Sequence, residues 1–282
     1  MIVRVLGRGK VGRSLHAALR KADVAATLHP ARGLLAARDK RALTYLLTVP
    51  DAQIAATAQR IAAHVKAGDV VLHCSGNRGP EELAACRRSG ASIAVMHPFV
   101  SFAHVRSAPN LPQTVWFARG DTLAIRRAKQ LARSVTAQCL EGPVGQPAYH
   151  AAAAVLANGS AGLADLTVRM LVALGLDRKV ACAAASGLLH SVAQNVRTVG
   201  VPQALTGPIM RGDADTVRSH LSALAALDPD FARSYADLAP IVLSCAQAAG
   251  LTKRDAANIR AVLAQGVSTT TSKGKRPPRS RR

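Results

Sequence analysis

The 282-residue chain reads as an α/β fold, an N-terminal doubly wound parallel sheet followed by an all-α domain. Three observations predict it. Short β-like runs alternate with helical ones over residues 1–145, a glycine-rich turn joins the first strand to the first helix, and from Gln146 the strand signal stops. Ala-rich and Leu-rich helical patterns then continue to Gly266.

Strands are expected at 2–6, 25–29, 43–49, 70–73, 92–96, 114–118 and 137–140, where apolar and β-branched residues cluster between turn residues. Helices should fill 11–22, 53–66, 80–89 and 122–134, with Asp121 as N-cap of the last. In the helical half, Gly175, Gly200, Pro202, Gly207, Pro208, Pro229, Pro240 and Gly250 punctuate the pattern, so five to seven helices follow. The organisation is a dinucleotide-binding domain over 1–145, a helical substrate and dimerisation domain over 146–266, and a basic tail over 267–282. The tail sequence STTTSKGKRPPRSRR has no apolar surface to bury and should be disordered.

Composition narrows the function classes. Aromatics make up 3% of the chain against 49% apolar residues, so the cores are built from Ala, Leu and Val. Five scattered cysteines without a C-x-x-C pair argue against a disulfide framework or a structural zinc site, and no short-spaced histidine cluster suggests a metal. The run MIVRVLGRGKVG carries Arg4 and reads as a strand, not a leader. The longest apolar stretch contains His150, Asn158 and Asp165, so no membrane span is expected and a cytoplasmic location follows. The net charge of +21 attracts anions in general, including acidic metabolites and phosphorylated nucleotides. Nucleic-acid binding ranks low: there is no recognition motif and little aromatic stacking surface, which leaves only weak contact by the tail.

The sharpest motif is Gly7-Arg8-Gly9-Lys10-Val11-Gly12, a G-x-G-x-x-G run that ends a strand and opens a helix. In a Rossmann turn the first glycine makes the bend, the second admits the pyrophosphate, and the third lets helix and strand pack closely. An NAD-preferring domain places Asp or Glu at the end of its second strand; here the segment reads Leu28-His29-Pro30-Ala31-Arg32. Arg32, helped by His29 and Arg8, suits the extra phosphate of NADP, so NADP is favoured over NAD. A second turn, Thr48-Val49-Pro50-Asp51, should lie at the carboxyl edge of the sheet, with the backbone of Val49 and Pro50 toward the cofactor and Asp51 as a helix cap.

Taken together, GRGKVG, LTVPD, VLHCSG, MHPFVSF, YHAAAAVLAN and ALTGPIMRGDADTV resemble the Rossmann-like proteins whose helical half is the domain of unknown function 2520, over residues 1 to 262. That family is similar to deazaflavin-dependent NADP reductases, pyrroline-5-carboxylate reductase, ketopantoate reductase and 6-phosphogluconate dehydrogenase. The resemblance implies a nicotinamide oxidoreductase with a helical second domain, and a homodimer. It departs at Gln146, where the family pattern carries a lysine.

Candidate chemistry gathers at strand ends and domain junctions. Ser75, in the turn His73-Cys74-Ser75-Gly76, should reach the cofactor edge. His97 ends the next strand and is the residue type most easily tuned for proton transfer. Beside Tyr149, His150 opens the first helix of the second domain, and Asn158 lies eight residues on in the same broad sector; both should face the nicotinamide. Thr206 and Arg211, in a turn rich in Gly and Pro, could hold a substrate carboxylate. The leading expectation is an oxidoreductase exchanging hydride with a small C=O or C=N substrate, acidic metabolites being one class the basic surface attracts. The alternative is a non-catalytic NADP-binding redox sensor or regulator.

Overall fold

A computed structural model describes residues 1–32, 41–103 and 111–272. It divides the chain into two compact units, Met1–Asn158 and Gly159–Arg282.

In the first unit seven strands, β1 (Ile2–Leu6), β2 (Ala25–His29), β3 (Leu43–Leu47), β4 (Val70–His73), β5 (Ser92–Pro98), β6 (Val115–Gly120) and β7 (Gln138–Glu141), form one sheet in the order β2-β1-β3-β4-β5-β6-β7. The β1, β3, β4 and β5 runs are apolar nearly throughout, as strands covered on both faces must be. Helices α1 (Lys10–Lys21) and α4 (Thr122–Ser134) cover one face, where Leu15, Leu19, Leu131 and Ala128 meet Val3, Val5, Leu72 and Trp116. On the other face lie α2 (Ile54–Ile61) and the short α3 (Ala84–Arg88), with Ile54, Ala58, Ile61 and Cys86 against Tyr45, Leu47, Val71 and Ile93.

The sheet is parallel except at one junction, where β6 runs antiparallel to β5. That departure from the expected all-parallel sheet sets Phe117 directly across from His97. The helix expected at 53–66 breaks into 3₁₀ turns at Asp51–Gln53 and Ala62–His64 around α2. Neither predicted acidic cap in this unit works as a cap. Asp121 stands at the N-cap of α4 but instead accepts from the Ile93 amide at 2.8 Å and pairs with Arg87 at 2.6 Å, joining α3, β5 and α4. Asp51 is the first residue of its 3₁₀ turn and makes no side-chain capping bond.

The helical half begins with α5 (Pro147–Ala173), whose first residues belong to the sheet unit. The expected boundary at 145 therefore differs from the observed division after Asn158. The second unit continues with α6 (Arg178–Val199), α7 (Ala214–Leu227), α8 (Pro229–Ala248) and α9 (Lys253–Ser272), giving five helices after Gln146 among the described residues. Val217, Leu221, Ala239, Leu243, Ala256 and Ile259 pack α7, α8 and α9 into a three-helix core. Asp213 caps α7, accepting from the Thr216 amide at 3.0 Å. Helix α9 runs past the expected tail boundary to Ser272, and the rest of the tail, 273–282, lies outside the described residues.

By length and composition α5 is long and apolar enough to cross a membrane, with a mean hydropathy of 1.3 over its best window. The sequence expectation excluded such a helix because polar residues interrupt it. Asp165 and Arg169 are paired at 3.0 Å, and a few polar residues do not lower the average of a helix this rich in Ala, Val and Leu.

Candidate functional site

The turn after β1 and the turn after β3 meet at the point where the chain, having added β2 on one side of β1, crosses to add β3 on the other. Ligands of open α/β sheets bind at such a switch point. Thr48 closes it: its hydroxyl donates to the carbonyls of Leu6 and Gly7, each at 3.1 Å, and its amide donates to Leu6 at 2.8 Å.

The three glycines of the turn differ in what surrounds them. A Cβ on Gly7, whose φ is +125°, would stand 2.6 Å from the Thr48 carbonyl oxygen, and one on Gly12 would stand 2.0 Å from the Gly7 oxygen. Both are packed shut. Gly9 has an ordinary extended backbone, φ −72° and ψ −174°, and a Cβ there would meet nothing within 4 Å. No need of the fold requires glycine at position 9. The space in front of it, at an α1 N-terminus with no acidic residue in its first turn, is where a bound anion would lie. Lys10 and Val11 open the helix, and Val11 packs against the core. Val49 packs against the opposite core, with Pro50 leading into the 3₁₀ turn.

Cations gather at the end of β2. Arg13 Nε donates to the Arg8 carbonyl at 2.9 Å, and Arg32 is exposed. Arg60 of α2, which the sequence reading did not single out, donates to the Ala31 carbonyl and fastens the segment that carries Arg32. His29 contacts Thr27 Oγ1 at 2.8 Å; burial, then Arg4 and Arg8, lower its pKa. Residues 33–40 lie outside the described residues.

The ends of β4 and β5 build a second cluster on the same edge. Buried His73 receives the Ser75 amide on Nδ1 at 3.2 Å, so its Nε2 carries the hydrogen and donates to the Gly79 carbonyl at 2.9 Å. Ser75 is occupied within this turn, its hydroxyl accepting from the Asn77 and Arg78 amides at 3.1 and 3.0 Å. The approach to α5 is fastened to the same turn by the Gly145 amide on the Gly76 carbonyl at 3.1 Å, while Arg119 Nε holds the Val144 carbonyl at 2.9 Å.

His97, Phe99, Phe117 and Tyr149 pack edge to face, with Tyr149 5.6 to 5.8 Å from each of the other three rings. Three of the eight Phe, Tyr and Trp residues of the chain stand in this cluster. His97 Nδ1 lies 2.9 Å from the Tyr149 hydroxyl, and the His150 ring is 6.3 Å from that of His97. Gly76 makes the room: a Cβ there would stand 2.8 Å from His150 Cδ2 and 3.0 Å from His97 Nε2. Burial first, then His150 and His73, pushes His97 down to about 4 against the opposing pull of Asp51.

His97, His150 and the Ser75-Gly76 turn therefore come together. Asn158 is exposed and lies about 12 Å farther along α5 from His150 at the helical rise of 1.5 Å per residue. Thr206 and Arg211 are exposed in the second unit, Arg211 in a turn closed by its amide on Gly207. Thr48, Gly76, Gly145 and Tyr149 were not predicted as site residues. Thr48 and Gly76 stand in turns the sequence singles out for other residues, Tyr149 is a rare aromatic beside a candidate histidine, and Gly145 left no trace. Among the described residues no group of three His, Cys, Asp or Glu side chains could hold a metal.

The depressed basicity of His97 and His73 has a stability consequence. Between the ordinary histidine value of 6.5 and about 4 the unfolded chain takes up protons that the folded chain refuses, so stability falls as pH drops through that window. A series of melting curves from pH 7 to pH 4 should show the decline, with a shallower slope in His97→Gln. An equal slope in that variant would remove His97 from the account.

Comparison with known proteins agrees with the fold. Residues 25–98 match the Rossmann-like domain, and residues 114–241 match the domain of unknown function DUF2520. The chain therefore carries a Rossmann-like domain followed by a DUF2520 domain. Among solved structures it is similar to protein TM1727 from Thermotoga maritima, at 23% identity and a TM-score of 0.62 over 88% of this chain and 99% of that one. It is also similar to an imine reductase of Streptomyces aurantiacus, at 16% identity and a TM-score of 0.56 over 89% and 100%. A third is the pyrroline carboxylate reductase of Plasmodium falciparum with NADP bound, at 10% identity and a TM-score of 0.54 over 96% and 99%. No curated protein sequence matches the chain. At these identities the likeness establishes a shared fold.

Proposed function

We propose that this DUF2520 protein binds NADP at the Gly7–Gly12 turn and exchanges hydride with a small C=O or C=N substrate. The observation that carries the reading is Gly9: a glycine with no steric or conformational need of its own, between two glycines that the fold does need, facing open space at a helix N-terminus. The nicotinamide supplies the hydride chemistry. The chain supplies the α1 amides and Lys10 for the pyrophosphate, Arg32 and Arg8 for the 2′-phosphate, and the backbone at Val49 and Pro50 beside the ribose. His97 and His150 stand at the reacting end, one for hydrogen bonding and the other for proton transfer. Asn158 is assigned with them to the nicotinamide end, and Thr206 and Arg211 to the substrate, Arg211 to a carboxylate where there is one.

Fluorescence titration with NADPH and NADH tests the reading. NADPH should bind more tightly, and failure of both to bind overturns it. An Arg32→Ala variant should lose roughly 1–3 kcal/mol of the preference for NADPH, the scale of a charge-assisted hydrogen bond. Equal affinity of the parent protein for the two nucleotides would remove Arg32 from that role.

The working unit on this reading is a homodimer. Val172, Val180, Leu188, Val192, Val196 and Val199 of α5 and α6 are exposed, an apolar surface in an otherwise strongly basic chain. A second copy is its proposed cover. Sedimentation of the parent as a dimer and of Leu188→Glu as a monomer is the expected result, and partition of the parent into lipid vesicles would favour a membrane instead. Gln146, exposed where the family pattern has lysine, favours a second reading of NADP binding without turnover. NADPH oxidation across a panel of oxo acids and imines separates the two.

A further inference from the structure

The hydrogens of the His97–Tyr149 pair can be assigned. The Tyr149 hydroxyl lies 2.9 Å from His97 Nδ1 and has no other hydrogen-bond partner among the described residues. Phe99 and Phe117 wall the tyrosine ring at 5.8 and 5.7 Å and offer no acceptor lone pair. If Nδ1 carried the hydrogen, the phenolic hydrogen would be left among ring edges, a costly outcome for a partly buried group. With the phenol donating to Nδ1, both atoms are satisfied and the ring hydrogen sits on Nε2. That nitrogen faces the Gly76 turn, where a Cβ would stand 3.0 Å away.

We propose that Tyr149 is a positioning residue that locks His97 as the neutral Nε2–H tautomer, so that the site presents a fixed hydrogen-bond donor, not a base, beside Gly76. The groups around His97 agree with a neutral ring. His150 and His73 oppose a proton on it, Asp51 favours one, and burial outweighs them all. His73, on the neighbouring strand, is held in the same tautomer by two backbone groups. Tyr149 is a poor proton source, since burial raises its pKa above the ordinary phenol value. His97 therefore does not relay a proton. Its Nε2–H stabilises an acceptor oxygen on which negative charge grows as a carbonyl takes hydride, and delivery of the proton falls to the exposed His150. That substrate role rests on the oxidoreductase reading above; the tautomer does not.

The test is ¹⁵N NMR of histidine-labelled full-length protein at pH 7, with the His97 signals identified by their loss in His97→Asn. The expected pattern is a neutral ring with its hydrogen on Nε2. In Tyr149→Phe, which keeps the ring packing, the two tautomers should average. A protonated Nδ1 in the parent at pH 7, or an unchanged pattern in Tyr149→Phe, overturns the proposal. Should the phenylalanine variant fail to fold, the parent spectrum alone still decides the tautomer. NADPH titration of the same samples is read separately: absence of binding defeats the nicotinamide reading and leaves the tautomer result standing.

Discussion

A Gly9→Leu variant is expected to fold and melt as the parent protein does and to lose NADPH affinity by at least about 100-fold, or roughly 3 kcal/mol. Gly9 has an extended backbone that any residue adopts, and no atom lies within 4 Å of where its Cβ would be, so a leucine side chain disturbs nothing in the protein itself. It fills the space in front of the α1 amides instead. A pyrophosphate would then have to give up those donors or clash with the side chain. Melting curves and fluorescence titration on the same preparation check both halves. Unchanged NADPH affinity in a folded variant would move the cofactor away from this turn.

The neighbouring glycine should fail in the opposite way. Gly12→Ala puts a methyl group 2.0 Å from the Gly7 carbonyl oxygen and 2.5 Å from Thr48 Oγ1. Both are parts of the junction between β1, β3 and α1, and backbone cannot step aside as the end of a flexible side chain can. The cost should be about 3 kcal/mol or more, at the upper end of overpacking penalties. The corresponding fall in melting temperature is on the order of 10 °C. A variant that melts with the parent would show that α1 can lift from the sheet cheaply. The paired result, one glycine needed for binding and the other for packing, separates the cofactor's demands from those of the fold.

Much of this arrangement was legible beforehand because it is local. The G-x-G-x-x-G run names its own strand, turn and helix, and all seven strands lie within two residues of their expected ends, since runs such as Val70–His73 are apolar enough to be buried on both faces. Candidate residues at strand ends were found by the same logic: His97 follows four apolar residues and ends a strand, whichever strand lies beside it. Caps were read less well. Asp121 and Asp51 have the right residue type in the right place, but in Asp121 a neighbouring strand amide and an arginine compete successfully for the carboxylate.

What the sequence by itself determined was the kind of each element and the chemistry at its end: an α/β half with a phosphate-ready turn, a helical half, cations and no acid after β2, and histidines at two later junctions. Tertiary structure alone decided which of these meet. The antiparallel turn of β6 sets Phe117 beside His97, and the bond from Gly145 to Gly76 brings the start of α5 to the same place, so that Tyr149 reaches across 52 residues of chain to a histidine it has no local reason to touch. Periodicity and propensity act over a few residues. Strand order, strand direction and the space left by a missing Cβ are settled by how whole elements pack, and no stretch of sequence carries them alone.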